Sequence, residues 1–263
     1  MRIAPRKRFG QHFLHDKHII QRLVDVIAPR PGQHLVEIGP GQGALTVPIL
    51  KEVGQLDVIE IDWDLIPALK TRCLGKGGLI AHQADALEFD FASLVHENER
   101  LRVIGNLPYN ISTPLIFHLL TFSKHISDMH FMLQKEVVDR LAAKSGDDAY
   151  GRLSIMVQYH CKVTDLFYVP PSAFYPPPQV DSSVVRLIPY LDIPHAAQDY
   201  NHFSSLVREA FSHRRKTLRN ALKKLVLDEH WGKSKIDPHL RPEELGVADY
   251  VFLSNLIQEE KNL

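Results

Sequence analysis

The chain has 263 residues, 44% of them hydrophobic and 24% charged, a globular composition that excludes a disordered or fibrous protein. No apolar run approaches the roughly 18 to 20 residues of a membrane span, and the basic start (Arg2, Arg6, Lys7, Arg8) leads into no signal-peptide core, so a soluble, cytoplasmic protein is expected. Two cysteines, Cys73 and Cys161, without acidic or imidazole partners at ligand spacing give neither a disulfide framework nor a metal site, and 31 basic against 31 acidic residues leave no net charge.

That zero is unevenly distributed. Residues 1–8 carry four cations and no acid, and residues 208–224 carry a net +6 through Arg208, Arg214, Arg215, Lys216, Arg219, Lys223 and Lys224 against Glu209. Either segment alone reads equally well as a solvated face; together they read as a footprint for phosphate.

In chain order, Ile20, Leu23, Val24 and Ile27 recur at helical spacing and predict an amphipathic helix. Strands follow near 34–38, 56–61, 78–82, 101–105, 128–133, 163–169 and 183–189, with helices near 43–53, 64–72, 112–122, 135–144 and 152–161. This alternation predicts an α/β domain over 1–190, a parallel sheet with helices on both faces. The proline-rich stretch from Pro170 to Pro178 reads as a stiff loop. Beyond Pro189 strand signals stop. Phe203, Leu206, Val207, Ala210 and Phe211 form one helical stripe, Leu218, Ala221, Leu222 and Leu225 a second, and 247–258 a third helix, which predicts a small all-helical domain over 191–263.

The run Leu35-Val36-Glu37-Ile38-Gly39-Pro40-Gly41-Gln42-Gly43 is an apolar strand entering a glycine loop, where missing side chains let a ligand approach the backbone. Glu60, at the end of the next strand, falls where a carboxylate receives ribose hydroxyls, so a nucleoside-bearing cofactor is expected. Asp85, in Gln83-Ala84-Asp85-Ala86, falls where an adenine amine could be received. Glu37 could brace the loop, the preferred reading, or touch the cofactor's amino group, and Asp62 reads as a strand end. The spacing G-P-G-Q-G favours S-adenosylmethionine over a nicotinamide dinucleotide, whose pyrophosphate turn has the form G-x-G-x-x-G.

Asn106-Leu107-Pro108-Tyr109 follows the fourth strand and suits methylation of an exocyclic base amine, a poor nucleophile because its lone pair is delocalised. The Asn106 oxygen and Leu107 carbonyl can accept its two N–H groups, Pro108 fixes the backbone, and Tyr109 can stack on the base. A sulfonium donor is already activated, so alignment suffices without a side chain of shifted pKa. Gly105 and Ser112 are small enough to leave room for a first methyl group. In the tail, Arg215, Arg219 and Lys223 fall at i, i+4 and i+8 with Lys216 alongside, a stripe predicted to face an RNA backbone.

Phe9-Gly10-Gln11-His12-Phe13-Leu14, Val36 to Gly43, Asn106 to Ser112 and Pro170-Pro171-Ser172-Ala173-Phe174, with His213 to Thr217 in the tail, together resemble the ribosomal RNA adenine N6,N6-dimethyltransferase family, whose bacterial members confer kasugamycin resistance when lost. The resemblance spans essentially the whole chain. It implies a Rossmann-like class I methyltransferase sheet with a small all-helical C-terminal domain. It also implies S-adenosylmethionine as cofactor and, as substrate, two adjacent adenosines in the 3′-terminal hairpin of small-subunit (16S) ribosomal RNA, within an assembling 30S particle.

By position, the resemblance assigns Gln11, His12 and Leu14 to the methionine end of the cofactor, Gly39 and Gly41 to the glycine loop, and Glu60 to the ribose. Asp85 and Ala86 fall to the adenine, Asn106 to cofactor and target together, and Tyr109 and Phe174 to the two faces of the flipped base. His12 departs from the asparagine of many members. No metal, membrane or oligomer is implied; a monomer suffices. A non-catalytic assembly factor and a dehydrogenase are the alternative readings, the first separable by Asn106→Ala and the second by cofactor binding.

Overall fold

The computed structural model describes residues 11–96, 99–212 and 216–261. Among them no helix is long and apolar enough to cross a membrane. The chain divides into two compact units, one of residues 1–138 and 164–189, the other of residues 139–163 and 190–263. The last crossing coincides with the end of the strand pattern at Pro189, but residues 139–163 group with the tail instead of with the sheet unit, where the expected 1–190 domain had them.

In the first unit a two-residue strand, β1 (Phe13–Leu14), precedes helix α1 (Lys17–Ile27). Asp16 caps α1 by accepting the His18 and Ile19 N–H groups at 2.8 and 3.1 Å, satisfying donors that the first turn cannot. The expected apolar stripe buries Leu23 and Ile27. There follow β2 (Leu35–Ile38), α2 (Thr46–Val53), β3 (Gln55–Glu60), α3 (Leu65–Cys73), β4 (Gly78–Gln83), β5 (Leu101–Asn106), α4 (Ser112–Thr121), β6 (Ile126–Gln134) and α5 (Lys135–Ala142), whose residues from 139 on belong to the second unit. After α6 (Arg152–His160) come β7 (Cys161–Val169), β8 (Phe174–Tyr175) and β9 (Ser182–Pro189).

Seven strands form one sheet in the order β4-β3-β2-β5-β6-β9-β7. Strands β4, β3, β2, β5 and β6 run parallel, and Leu35, Val36, Leu56, Val58, Val103 and Ile104 are fully buried, as befits strands covered on both faces. The sheet is mixed, however: β9 pairs antiparallel with β6, Met129 opposite Leu187 and Gln134 opposite Ser182. An apolar run shows that a strand exists but not which way it points, so the all-parallel expectation is corrected here.

In the second unit, α6 and α7 (Tyr200–Ala210) bring the rings of Tyr159 and Phe203 to 4.8 Å, and the Gln158 amide donates to the Leu141 and Ala143 carbonyls at 2.8 Å. These contacts are why residues 139–163 belong to this unit. α8 is a single turn (Leu218–Ala221), followed by α9 (Asp228–Ser234) and α10 (Val247–Lys261). Tyr250 on α10 is fully buried, with its hydroxyl donating to the Pro242 carbonyl at 2.8 Å.

Candidate functional site

The carboxyl ends of β2, β3, β4 and β5 open on one cavity of about 290 Å³, where an open parallel sheet offers its loops to a ligand. Gln11, His12, Leu14, Gly39, Gly41, Glu60, Asp85, Ala86 and Asn106 to Tyr109 all line it. Residues far apart in the chain are thus brought together. Phe174 is not among them.

The glycine loop is shaped by its own backbone requirements. Gly39 and Gly41 have φ of 67° and 53°, a left-handed conformation costly for a residue with a Cβ. A Cβ on Gly41 would also lie 3.2 Å from the Phe13 ring, which covers the loop from β1. Glu60, 5% exposed, accepts the Gly41 N–H with Oε2 at 3.2 Å and the Asp62 N–H with Oε1 at 2.9 Å. Burial raises its pKa, opposed by those two N–H groups. Each oxygen keeps a lone pair for a ligand, so the expected ribose acceptor also holds the loop.

Asp62 is more than a strand end: it is 1% exposed and accepts the Gln11 amide at 3.0 Å, fixing Gln11 at the cavity wall. Asp85 accepts the Leu87 N–H at 2.9 Å, which orients its carboxylate at the turn beyond β4. Glu37 is 2% exposed, lines the cavity, and its Oε2 has no hydrogen-bond partner. Burial pushes its pKa to about 8, with the Thr46 hydroxyl opposing and the Glu60 charge adding. The unused Oε2 can accept from an amine entering the cavity, and a cationic amine there would favour the ionised carboxylate, so binding, the less preferred reading, finds support beside bracing.

Asn106 ends β5, and its Nδ2 donates to the His12 carbonyl at 3.0 Å. A carbonyl can only accept, so the amide orientation is fixed and Oδ1 is left to accept from a ligand. His12 likewise donates Nδ1–H to the Pro176 carbonyl at 2.7 Å, and its ring lies stacked on Tyr109, centroids 5.9 Å apart and planes 22° apart. The imidazole therefore clamps the Asn106–Tyr109 loop against the proline-rich loop. At its other end the Tyr109 hydroxyl hydrogen-bonds Ser182 Oγ at 2.7 Å, and burial raises the Tyr109 pKa. The Leu107 N–H donates to the Met132 carbonyl at 3.2 Å.

Several expectations are redrawn. Phe174 is 2% exposed and packs in the core beside Leu14 and Leu23, so in this structure it does not bracket the cavity with Tyr109. Gly105 lines the cavity, but a Cβ there would lie 2.6 Å from the Ile38 carbonyl oxygen; strand approach, and not room for a methyl group, demands glycine. Ser112 turns away to donate to the Tyr109 carbonyl at 3.1 Å. In the tail, α8 ends at Ala221 and Lys223 sits in a turn, so Arg219 and Lys223 share no helical stripe; Arg215 lies outside the described residues. Arg219 is paired with Asp228 at 2.8 Å, and Lys216 and Lys223 are exposed.

Phe13, Met132, Pro176 and Ser182 were not singled out by sequence, and His130, whose spacing to His125 suggests only a surface or packing histidine, is 3% exposed and lines the cavity. Phe13 lies inside a quoted motif, and its place two residues after Gln11 was the one available signal.

A model of the ribosomal RNA adenine dimethylase family matches residues 3–259. The chain belongs to this family. Among relatives of known name, it is 59% identical to the ribosomal RNA small subunit methyltransferase A of Pseudomonas aeruginosa, over 97% of this chain and 95% of that one. It is 57% identical to the protein of that name from Chromohalobacter salexigens, over 97% of this chain and 92% of that one. The crystal structure of a dimethyladenosine transferase from Plasmodium falciparum matches with a TM-score of 0.80 at 29% identity, covering 92% of this chain and 96% of that one. The α/β unit has the class I methyltransferase fold of this family.

Proposed function

We propose that this chain transfers methyl groups from S-adenosylmethionine to the exocyclic N6 of adenosines in small-subunit ribosomal RNA, giving N6,N6-dimethyladenosine. The substrate is a pair of adjacent adenosines in the 3′-terminal hairpin, presented in an assembling 30S particle to a monomer in the cytoplasm. One observation carries the reading: the Asn106 amide, fixed by the His12 carbonyl, offers Oδ1 beside Tyr109 at the cavity.

The residues present fit the cofactor. The glycine loop leaves the backbone open, Glu60 retains acceptor capacity for ribose hydroxyls, Asp85 can receive the adenine amine, and Glu37 Oε2 can receive an ammonium group. Gln11, His12 and Leu14 close the cavity's wall near Asn106. When bound, S-adenosylmethionine supplies an electrophilic methyl group and leaves as a neutral thioether. The protein's part is alignment. Asn106 Oδ1 and the Leu107 carbonyl take the target's two N–H groups and turn its lone pair out of conjugation, while Tyr109 stacks on the base. After one transfer the methylated amine is cationic and acidic and releases one proton to solvent, so a single N–H remains and one acceptor still holds it. The base must leave its stack to reach this site, and Lys216 and Lys223, with Arg215, supply cations toward phosphate.

Labelled methyl transfer to small ribosomal subunits tests the reading. Label should appear in adenosine with the wild-type chain and at a rate roughly 10²- to 10³-fold lower with Asn106→Ala, which retains subunit binding. A wild-type chain that binds subunits and S-adenosylmethionine without transferring label would favour an assembly factor, and tight NAD binding would favour a dehydrogenase.

A further inference from the structure

We propose that Tyr175 is a stacking platform at the cavity mouth for the unpaired nucleotide next to the target adenosine. This rests on the RNA methylation reading and extends it to a residue outside the cavity lining.

The register of the β1–β8 pair carries the inference. Leu14 lies opposite Phe174 and Phe13 opposite Tyr175. Directly opposed residues of an antiparallel pair share a face, and neighbours along a strand alternate. Leu14 and Phe174 are 8% and 2% exposed, so their face packs into the core, with Leu14 also reaching the cavity wall. Phe13 and Tyr175 therefore share the other face, and Phe13 lies over the glycine loop and lines the cavity. Tyr175 shares the face of Phe13 that covers the loop and is itself 62% exposed. Its chain neighbour Pro176 supplies the carbonyl that holds the His12 ring against Tyr109. The exposed phenol is thus joined through one residue and one imidazole to the side chain proposed to hold the target base.

The occupant follows from the chemistry. A base extruded for methylation leaves adjacent nucleotides unstacked and a few ångströms from the mouth, and single-stranded bases recover stacking on aromatic side chains. Such stacking tolerates any base, so Tyr175 would set affinity and register for the strand without reading sequence.

The test is steady-state methyl transfer to small ribosomal subunits lacking these methyl groups, with wild-type, Tyr175→Ala, Tyr175→Phe and Tyr175→Trp chains. Tyr175→Ala should raise KM for the subunit roughly 5- to 100-fold, the range expected for loss of one stacked base, with kcat changed little. Thermal midpoint and S-adenosylmethionine affinity should match wild type, and the phenylalanine and tryptophan variants should restore KM. An unchanged KM in Tyr175→Ala, or a rise that the aromatic variants fail to reverse, overturns the proposal while leaving RNA methylation standing. A wild-type chain that transfers nothing overturns the underlying reading and this proposal with it.

Discussion

In the proposed reaction Asn106 acts through the direction of its amide, because the His12 carbonyl takes the Nδ2 end and leaves Oδ1 free to accept. Asn106→Ala should lower kcat by roughly 10²- to 10³-fold, the scale seen when a positioned polar group is removed from a transition state, with the thermal midpoint nearly unchanged. Single-turnover methyl transfer checks this. Glu37 gives a pH signature. Its folded pKa of about 8 lies above the ordinary 4.5, so the protonated form stabilises the fold. That contribution is complete below about pH 4.5 and is lost as pH rises through about 8. Glu37→Gln mimics the neutral acid and should flatten the decline of ligand-free stability across this window, a difference on the order of a few kcal/mol by about pH 9. Denaturant titrations at successive pH values measure it; parallel curves for the two proteins would show that Glu37 does not titrate there. Asn106, Tyr109, Glu60 and Asp85 were legible because each ends or follows a strand inside a contiguous motif. Ser182 and Pro176 were not, since they reach Tyr109 and His12 across 73 and 164 residues.

The seven strands of the large sheet and most helices were legible from periodicity, with boundaries within a few residues. The two-residue strands β1 and β8, the latter inside the stretch read as a stiff loop, are too short to show a period. The direction of β9 was not, because alternation carries no polarity. The tail stripe failed for a different reason. Leu218, Leu222 and Leu225 keep helical spacing, but the α8 turn ends at Ala221, and Arg219 pairs with Asp228. Asp57 on β3 receives His34, the residue before β2, at 3.1 Å and His82 on β4 at 2.6 Å, tying β3 to both neighbours. The hydrogen bond to Asp57 raises the His34 pKa against burial, whereas burial pushes Asp57 up and is outweighed by the two histidines, leaving it lowered. The His34 contribution is therefore lost as pH rises through its raised value, and the Asp57 contribution is lost as pH falls through its lowered one. Between these limits Asp57→Asn should destabilise the protein by about 1 to 3 kcal/mol, read from chemical unfolding near pH 6. Equal stability of variant and wild type there would show the cluster to be neutral.

At the scale of the whole molecule, the sheet unit holds the candidate chemistry and the second unit carries the basic segment beyond α7. The paired replacement Lys216→Glu with Lys223→Glu should weaken subunit binding and reduce its salt slope by about 0.7 to 0.9 for each phosphate left unneutralised, while S-adenosylmethionine affinity stays constant. An unaltered slope would mean that these exposed lysines meet no RNA. The central claim, dimethylation of an adenine amine by alignment, is tested most directly by nucleoside mass spectrometry of ribosomal RNA. Small subunits lacking these groups are incubated with the wild-type chain and excess S-adenosylmethionine, and their RNA is digested over a time course. The account predicts a transient N6-methyladenosine that gives way to N6,N6-dimethyladenosine, and both products delayed by roughly 10²- to 10³-fold with Asn106→Ala. Accumulation of only the monomethyl nucleoside, or methylation of a base other than adenine, would contradict it.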